Sequence, residues 1–392
     1  MEHQPVTTAL KVVMGRTLVS AVVFDALVPL SPFIAQDLNV SAAYFQSMLA
    51  LCLAVFALSQ WLSTPLINRA GASLSLATGS TLVALLCLAT TFTASRLMLS
   101  IALIAMFAAN ALATTASRLW LHQQLGQTKF QSTTAYLYAG ISVLAALGPL
   151  VLMLSASAWG WRGVMGTLAG GLLVVSLWLF FQRTEEPKNP PGSTAATALW
   201  RQPRFVSALL MGILIQSAVT PLNLSKAFIL DGVFQLPTST IGTILSAWAA
   251  LVASAFFAAG KAVAYFTEAQ RLKVGLLAQG LGAVGMVAAW FQYDLSLYLF
   301  AAASTSFAFC ILLPLTIARA LDVAPSQQAG ASAVFGGITV ATAGLTTGLG
   351  AQMHASLFFI LMLVLGVCAL GLLLLNFIHP GVSSCPSQGA AP

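Results

Sequence analysis

Asp25 is a carboxylate set inside an apolar run that extends over about residues 12–35, and its position gives it the clearest chemical potential in the chain. An ionised carboxylate near the middle of a bilayer-spanning helix costs about 2.5–3.5 kcal/mol on insertion scales, so something must offset it. One offset is a water-filled cavity, in which Asp25 takes up and releases a proton or meets a cationic solute. The other is a hydrogen bond from a neighbouring helix, or a place nearer the interface, either of which makes Asp25 a packing residue.

Two polar stripes accompany it. Asn110, Thr114 and Ser117, followed by Arg118, lie at i, i+4, i+7 spacing, and so do Gln216, Thr220 and Asn223, which gathers each set on one helix face. Such faces avoid lipid, so they either line a solute pathway or hydrogen-bond helix to helix. Lys226 stands about two turns short of a loop, where its stem can snorkel to the surface or hold an anion-binding charge in a cavity. Asn110, Thr114, Gln216, Thr220, Asn223 and Lys226 are therefore the candidate solute-binding residues.

Enzymatic chemistry has little support. His3, His122, His354 and His379 are isolated near termini or loops, without a carboxylate pair or a glycine-rich phosphate loop. Cys52, Cys87, Cys310, Cys368 and Cys385 lack C-x-x-C spacing, which argues against a zinc site or a disulfide framework. No cofactor or metal is expected, and a membrane-embedded enzyme or sensor is a remote alternative.

The elements that must position these residues follow from composition. The 392 residues are 59% hydrophobic and 6% charged, against about 25% charged in a soluble domain. A bilayer absorbs that excess, since a spanning helix needs about 20 apolar residues. Apolar runs place twelve spans at approximately 12–35, 43–66, 73–94, 97–118, 131–154, 162–182, 204–229, 239–259, 273–292, 296–319, 329–351 and 356–378. The first run is too long for a signal peptide and lacks a small-x-small cleavage site, so it stays as a span. The expected fold class is all-α integral membrane, with two six-helix bundles.

The stretch Arg183-Thr-Glu-Glu-Pro-Lys-Asn-Pro-Pro-Gly192 divides the halves: residues 1–183, a linker 184–203, residues 204–379 and a tail 380–392. Asn68-Arg69 after the second span answers Gly260-Lys261 after the eighth, an offset of roughly 200 residues that hints at duplication. With both termini in the cytoplasm, thirteen of the sixteen Lys and Arg, Arg16, Arg118 and Arg319 among them, fall in inner loops. The net charge of +7 is scattered singly and forms no stripe for nucleic acid. Pro29, Pro32, Pro149, Pro221 and Pro314 bend their spans, while Gly140, Gly148, Gly336, Gly337, Gly344, Gly348 and Gly350 permit close helix approach.

The segment Asp25-Ala-Leu-Val-Pro29-Leu-Ser-Pro32-Phe-Ile-Ala35, continuing into Asp37-Leu38, resembles the first-span pattern D-x-x-x-P-x-x-P-x-I-A of the Bcr/CflA branch of drug:proton antiporters in the major facilitator superfamily. A longer resemblance runs through Pro314-x-x-x-Ala318-x-Ala320-Leu321, Pro325 and Ala329-Gly330-x-Ser332-Ala333. Gly148-Pro149, Gly160-Trp161-Arg162 and Ser225-Lys226-Ala227-Phe228-Ile229-Leu230 are weaker matches, and together they span nearly the whole chain.

Two departures stand out. Where the family has G-x-L-[SA]-D-R-x-G-R after the second span, this chain reads Thr64-Pro-Leu-Ile-Asn68-Arg69-Ala-Gly71-Ala, so Asn68 replaces the gating aspartate. The fourth-span pattern R-x-x-Q-G aligns with Ser100-Ile-Ala-Leu103-Ile104, and its arginine is absent. The resemblance implies a central cavity lined by spans 1, 4, 7 and 10, proton coupling through Asp25, and gating by Asn68, Arg69, Arg118, Gly148 and Pro149. It implies a monomeric exporter of the bacterial cytoplasmic (inner) membrane, with drugs and multidrug resistance as the family expectation. Export of a polar metabolite such as a siderophore, or import, remains an alternative, since fold does not set direction.

Overall fold

Backbone polar groups inside lipid have to be paired within their own segment, and this chain meets that demand with helices. The computed structural model describes residues 3–40, 42–181, 199–323, 327–352 and 357–378, and no strand occurs among them. The helices in chain order are α1 (His3–Asp25), α2 (Leu27–Leu38), α3 (Ala42–Ala70), α4 (Ala72–Thr90), α5 (Arg96–Phe181), α6 (Pro203–Gly232), α7 (Thr238–Tyr265), α8 (Glu268–Gln292), α9 (Leu295–Leu321), α10 (Gln328–Gln352) and α11 (Leu357–Ile378). Pro325, His354, His379, Cys385 and most of the 184–203 linker lie outside the described residues.

Among the described residues, nine helices are long and apolar enough to cross a membrane, or ten when Leu10–Asp25 and Pro29–Leu38 are taken as one bent span. One of the nine, Arg96–Gly148, runs for 53 residues, about 80 Å of helix and more than a single hydrocarbon core requires. It contains Gly126, whose φ of 65° breaks the helix; Gly160, at φ 69°, makes a second break in α5. Both positions lie in the left-handed region that glycine alone occupies cheaply. The loops expected between the fourth, fifth and sixth spans are therefore replaced by helix interrupted at single residues. Gly260 and Lys261 likewise lie inside α7 and do not follow it, because that helix continues to Tyr265.

The chain forms two compact units, one of Met1–Phe130, Leu137–Thr197 and Val323–Ala341, the other of Gln131–Tyr136, Ala198–Asp322 and Thr342–Pro392. In the first unit, Val23, Leu27, Leu30 and Ile34 of α1 and α2 pack with Phe45 of α3, Cys87 of α4 and Leu103 and Met106 of α5. In the second, α9 is central: it packs against α6, α7 and α8, and α11 adds to α6 and α8. Its run from Leu312 to Leu321 is buried without interruption. Large apolar side chains such as Leu62, Leu97, Leu277, Val284 and Phe291 are exposed instead, the distribution expected when the outer solvent is hydrocarbon.

Small residues set the tightest helix contacts in both units. A Cβ added to Gly79 of α4 would stand 2.9 Å from the Ala113 amide nitrogen of α5. One added to Gly282 of α8 would meet Thr305 Oγ1 and stand 3.1 Å from the Ala301 carbonyl oxygen of α9. Without a Cβ, the backbones approach closely enough for dispersion to hold the helices together where lipid supplies no hydrophobic drive. Gly280, two residues before Gly282, has open space at the same position. Gly282→Leu is therefore expected to lower the thermal midpoint and the monodisperse yield of detergent-purified protein, at an overpacking cost of about 1–3 kcal/mol. Gly280→Leu, which carries the same change in helix propensity, is expected to leave both within error of the parent.

Candidate functional site

The first unit breaks its leading helix at the acidic residue. Pro29 has no N–H to offer the Asp25 carbonyl, and its ring crowds that carbonyl, so α1 ends at Asp25 and α2 restarts at Leu27. The two pieces meet at a bend of 43°. Val23, Ala26, Leu27 and Leu30 face the unit's core, while Asp25 is exposed. Nine residues separate Arg16 from Asp25, two and a half turns, so the two ionisable groups occupy opposite faces of α1.

Arg16 is a correction to the topology reading. It is no loop residue; it lies within α1 with 1% of its surface exposed. Its Nη2 donates to Asn110 Oδ1 at 3.1 Å, and Ser20 Oγ and Thr114 Oγ1 donate to the same oxygen at 3.1 and 3.4 Å. Arg16 Nε has no partner among the described residues. The fourth-span stripe thus closes on the first span, and the Asn110 carboxamide oxygen is committed to three donors.

Further along α5, Arg118 is half-buried and its Nη1 donates to Gln60 Oε1 of α3 at 3.3 Å, so it too is no loop residue. Gly336 of α10 sits against both groups, since an added Cβ would collide with Gln60 Oε1 and Arg118 Nη1. Ser332, from the same α10 segment, donates to the Thr115 carbonyl at 3.1 Å. At the end of α3, Asn68 is half-buried with an Oδ1 that finds no partner among the described residues, and Arg69 is exposed. Among the described residues a Cβ added to Gly148 would touch only Leu152, at 3.9 Å; the side chain of Pro149 lies outside the described residues.

Two of the shorter sequence matches come together at one corner of this unit. Asp37, at the end of α2, forms an ion pair with Arg162 and accepts from Trp161 Nε1 at 3.1 Å. Arg162 also donates to the Thr93 carbonyl at 2.9 Å, and its guanidinium lies 4.5 Å from the Trp161 ring centroid. The Gly160 break immediately precedes Trp161 and turns both side chains toward α2.

In the second unit, Gln216 Nε2 donates to Thr220 Oγ1 at 3.3 Å along α6, and Asn223 is exposed on the same stripe. Lys226 does not snorkel: it is 8% exposed, with Nζ 4.3 Å from the ring centroid of Trp248 on α7. Trp248 is 7% exposed, and its Nε1 has no hydrogen-bond partner among the described residues. Two donor-only groups therefore share a buried place that contains no carboxylate within ion-pair distance of Lys226 among the described residues. Arg319, also read as a loop residue, is buried in α9, where its Nε donates to Glu268 of α8 and its Nη1 lies 3.9 Å from Met211 Sδ.

Sequence reading missed Arg16, Ser20, Gln60 and Trp248. Arg16 and Ser20 carried a signal, since they repeat at i, i+4 inside an apolar run, as Asn110 and Thr114 do. Trp248 carried none, because its place beside Lys226 depends on how α6 and α7 pack.

Comparison with known proteins agrees with this architecture. The sequence pattern described as Major Facilitator Superfamily matches residues 14–348. No curated protein matches the chain by sequence. Among solved structures, FucP, described as a major facilitator superfamily transporter in the outward conformation, superposes with a TM-score of 0.73 at 13% identity, covering 96% of this chain and 99% of its own. A variant of the Escherichia coli fucose:proton symporter FucP gives 0.72 at 12% identity, covering 97% and 100%. The human organic anion transporter MFSD10 (TETRAN) gives 0.72 at 13% identity, covering 96% and 100%.

Asn110→Leu strands three donors around a buried guanidinium, each unsatisfied group costing about 1–3 kcal/mol. The variant is expected to show a sharply lowered thermal midpoint in detergent. Arg16→Met combined with Asn110→Leu removes the charge together with its acceptor and is expected to recover much of the loss. Equal midpoints for the single and double variants would mean that Arg16 and Asn110 are not coupled.

Proposed function

The chain belongs to the major facilitator superfamily, and from that premise we propose that it is a secondary active transporter that exports a small molecule by alternating access in exchange for protons. The observation that carries the coupling is Asp25: an exposed carboxylate at the α1–α2 break, on the face turned away from its own unit's core. A carboxylate clamped in a dry helix contact would hold its charge state, whereas one open to water can exchange a proton. In this reading a proton entering down its gradient binds the Asp25 carboxylate as solute leaves, and its release on the opposite side restores the anion. The bilayer is the bacterial cytoplasmic membrane, with both termini inside. Two pseudo-equivalent six-helix halves, separated near residues 184–203, would alternate as a monomer.

The resemblance to the Bcr/CflA branch supports drug efflux. Lys226 and Trp248 support a second reading, in which the solute presents a carboxylate or another strong acceptor, as a siderophore does. Gln216, Thr220, Asn223 and the amide nitrogen of Asn110 would then provide further hydrogen bonds. Under this reading Asn68, Arg69 and Arg118 serve as gating residues at the ends of α3 and the first part of α5.

A strain lacking the gene, loaded with matched cationic and anionic fluorescent solutes, tests both readings. The parent protein is expected to deplete at least one solute, and a protonophore is expected to stop it. Asp25→Asn should abolish gradient-driven depletion while reaching the membrane at the parent level and remaining monodisperse. Undiminished gradient-driven export by that variant removes Asp25 from the mechanism. Lys226→Met is expected to weaken half-saturation for anionic solutes by about tenfold, the value of one charge-assisted hydrogen bond, and to spare cationic ones. An equal change for both classes of solute would assign Lys226 to packing.

A further inference from the structure

A cavity of about 280 Å³ lies among α7, α8 and α9 of the second unit. Ala258, Ala262, Ile311 and Phe307 make most of its wall hydrocarbon, whereas one end carries Gln131 and Arg271. Arg271 stands in the first turn of α8, four residues after the Thr267 cap, so this end lies at the level where helices leave the apolar layer. One turn further along α8 the lining includes Val274, which is exposed along the stripe that also presents Leu277, Leu281 and Val284. The slot therefore opens on the surface that acyl chains cover.

The polar end is under-satisfied. Arg271 Nη1 donates to Gln131 Oε1 at 2.6 Å, a neutral partner, and Nε is buried with no partner among the described residues. The nearby carboxylate, Glu268, is bonded to Arg319. One acidic and two basic side chains leave a net positive charge at the mouth, with the exposed Lys261 and Lys273 on the flanking helices adding to it. A guanidinium with a spare donor above a hydrocarbon slot matches an amphiphile that joins a phosphate to an acyl chain.

We propose that this cavity is a binding site for an anionic membrane phospholipid, whose headgroup phosphate is held by Arg271 and whose acyl chain lies along α7 and α9. Only one basic side chain needs to read the head, so the preference over a zwitterionic lipid is modest, about fivefold. The chain contact rests on the small residues Ala258 and Ala262, which leave the slot open.

Native mass spectrometry of the detergent-purified chain, titrated with dioleoyl phosphatidylglycerol, dioleoyl phosphatidylcholine or sodium phosphate, tests the assignment. The parent protein is expected to retain phosphatidylglycerol about fivefold better than phosphatidylcholine and to retain no phosphate. Arg271→Gln should abolish that preference, and Arg271→Lys should keep most of it. Ala258→Trp, a change at an exposed rim position, should block the slot and lower retention of both lipids while leaving the protein monodisperse. Equal retention of the two lipids by the parent, an unchanged preference in Arg271→Gln, or unchanged retention in Ala258→Trp would overturn the proposal. Phosphate binding as strong as that of phosphatidylglycerol would likewise overturn it, by reducing the site to an ion contact without a chain.

Discussion

Every polar group that this chain carries into its apolar layer has to be answered locally, and that constraint organises the structure more than any single hydrophobic contact. For the backbone the answer is helix, for the side chains it is pairing. Asn110 answers Arg16, Glu268 answers Arg319, and Gln60 answers Arg118. The hydrophobic effect that drives folding in water is nearly silent between helices that could equally face lipid, so these pairings and the close glycine contacts supply specificity. Trp248 Nε1, buried beside Lys226 without a hydrogen-bond partner among the described residues, departs from this pattern.

The all-helical membrane class was legible from composition alone, because 6% charge and long apolar runs admit few other solutions. Several expected spans, among them 204–229, 296–319 and 329–351, lie within a few residues of the helices Pro203–Gly232, Leu295–Leu321 and Gln328–Gln352, and nine or ten of the expected twelve are met among the described residues. The corners were harder. Turning at Gly126 and Gly160 needs one residue with a positive φ, and such a residue looks no different in sequence from the packing glycines around it. The extension of α7 past Lys261 was hidden for a related reason: a lone basic residue reads as a loop, although its long stem lets it ride on a helix.

The candidate site was legible by half. Intrahelical spacing found the stripes of Asn110 with Thr114 and Gln216 with Thr220, since periodicity is a local property. It could not tell which stripe would be consumed by a neighbour. Arg16 illustrates the difficulty: counted by charge it marks a cytoplasmic edge, counted by position it lies inside the run, and only the packing of α1 on α5 decides. Asp37 and Arg162 show the opposite case, in which two separately recognisable fragments turn out to be the halves of one contact.

That contact has a mechanical meaning. Arg162 grips the carboxylate of Asp37 and the carbonyl of Thr93, so the finish of α2, the turn after α4 and the start of the last stretch of α5 are tied at one knot. Gly160 joins its two helical stretches through one residue of positive φ, so no loop stands between the knot and the helix before it. Such a corner makes three separate stretches of the first unit depend on a single guanidinium.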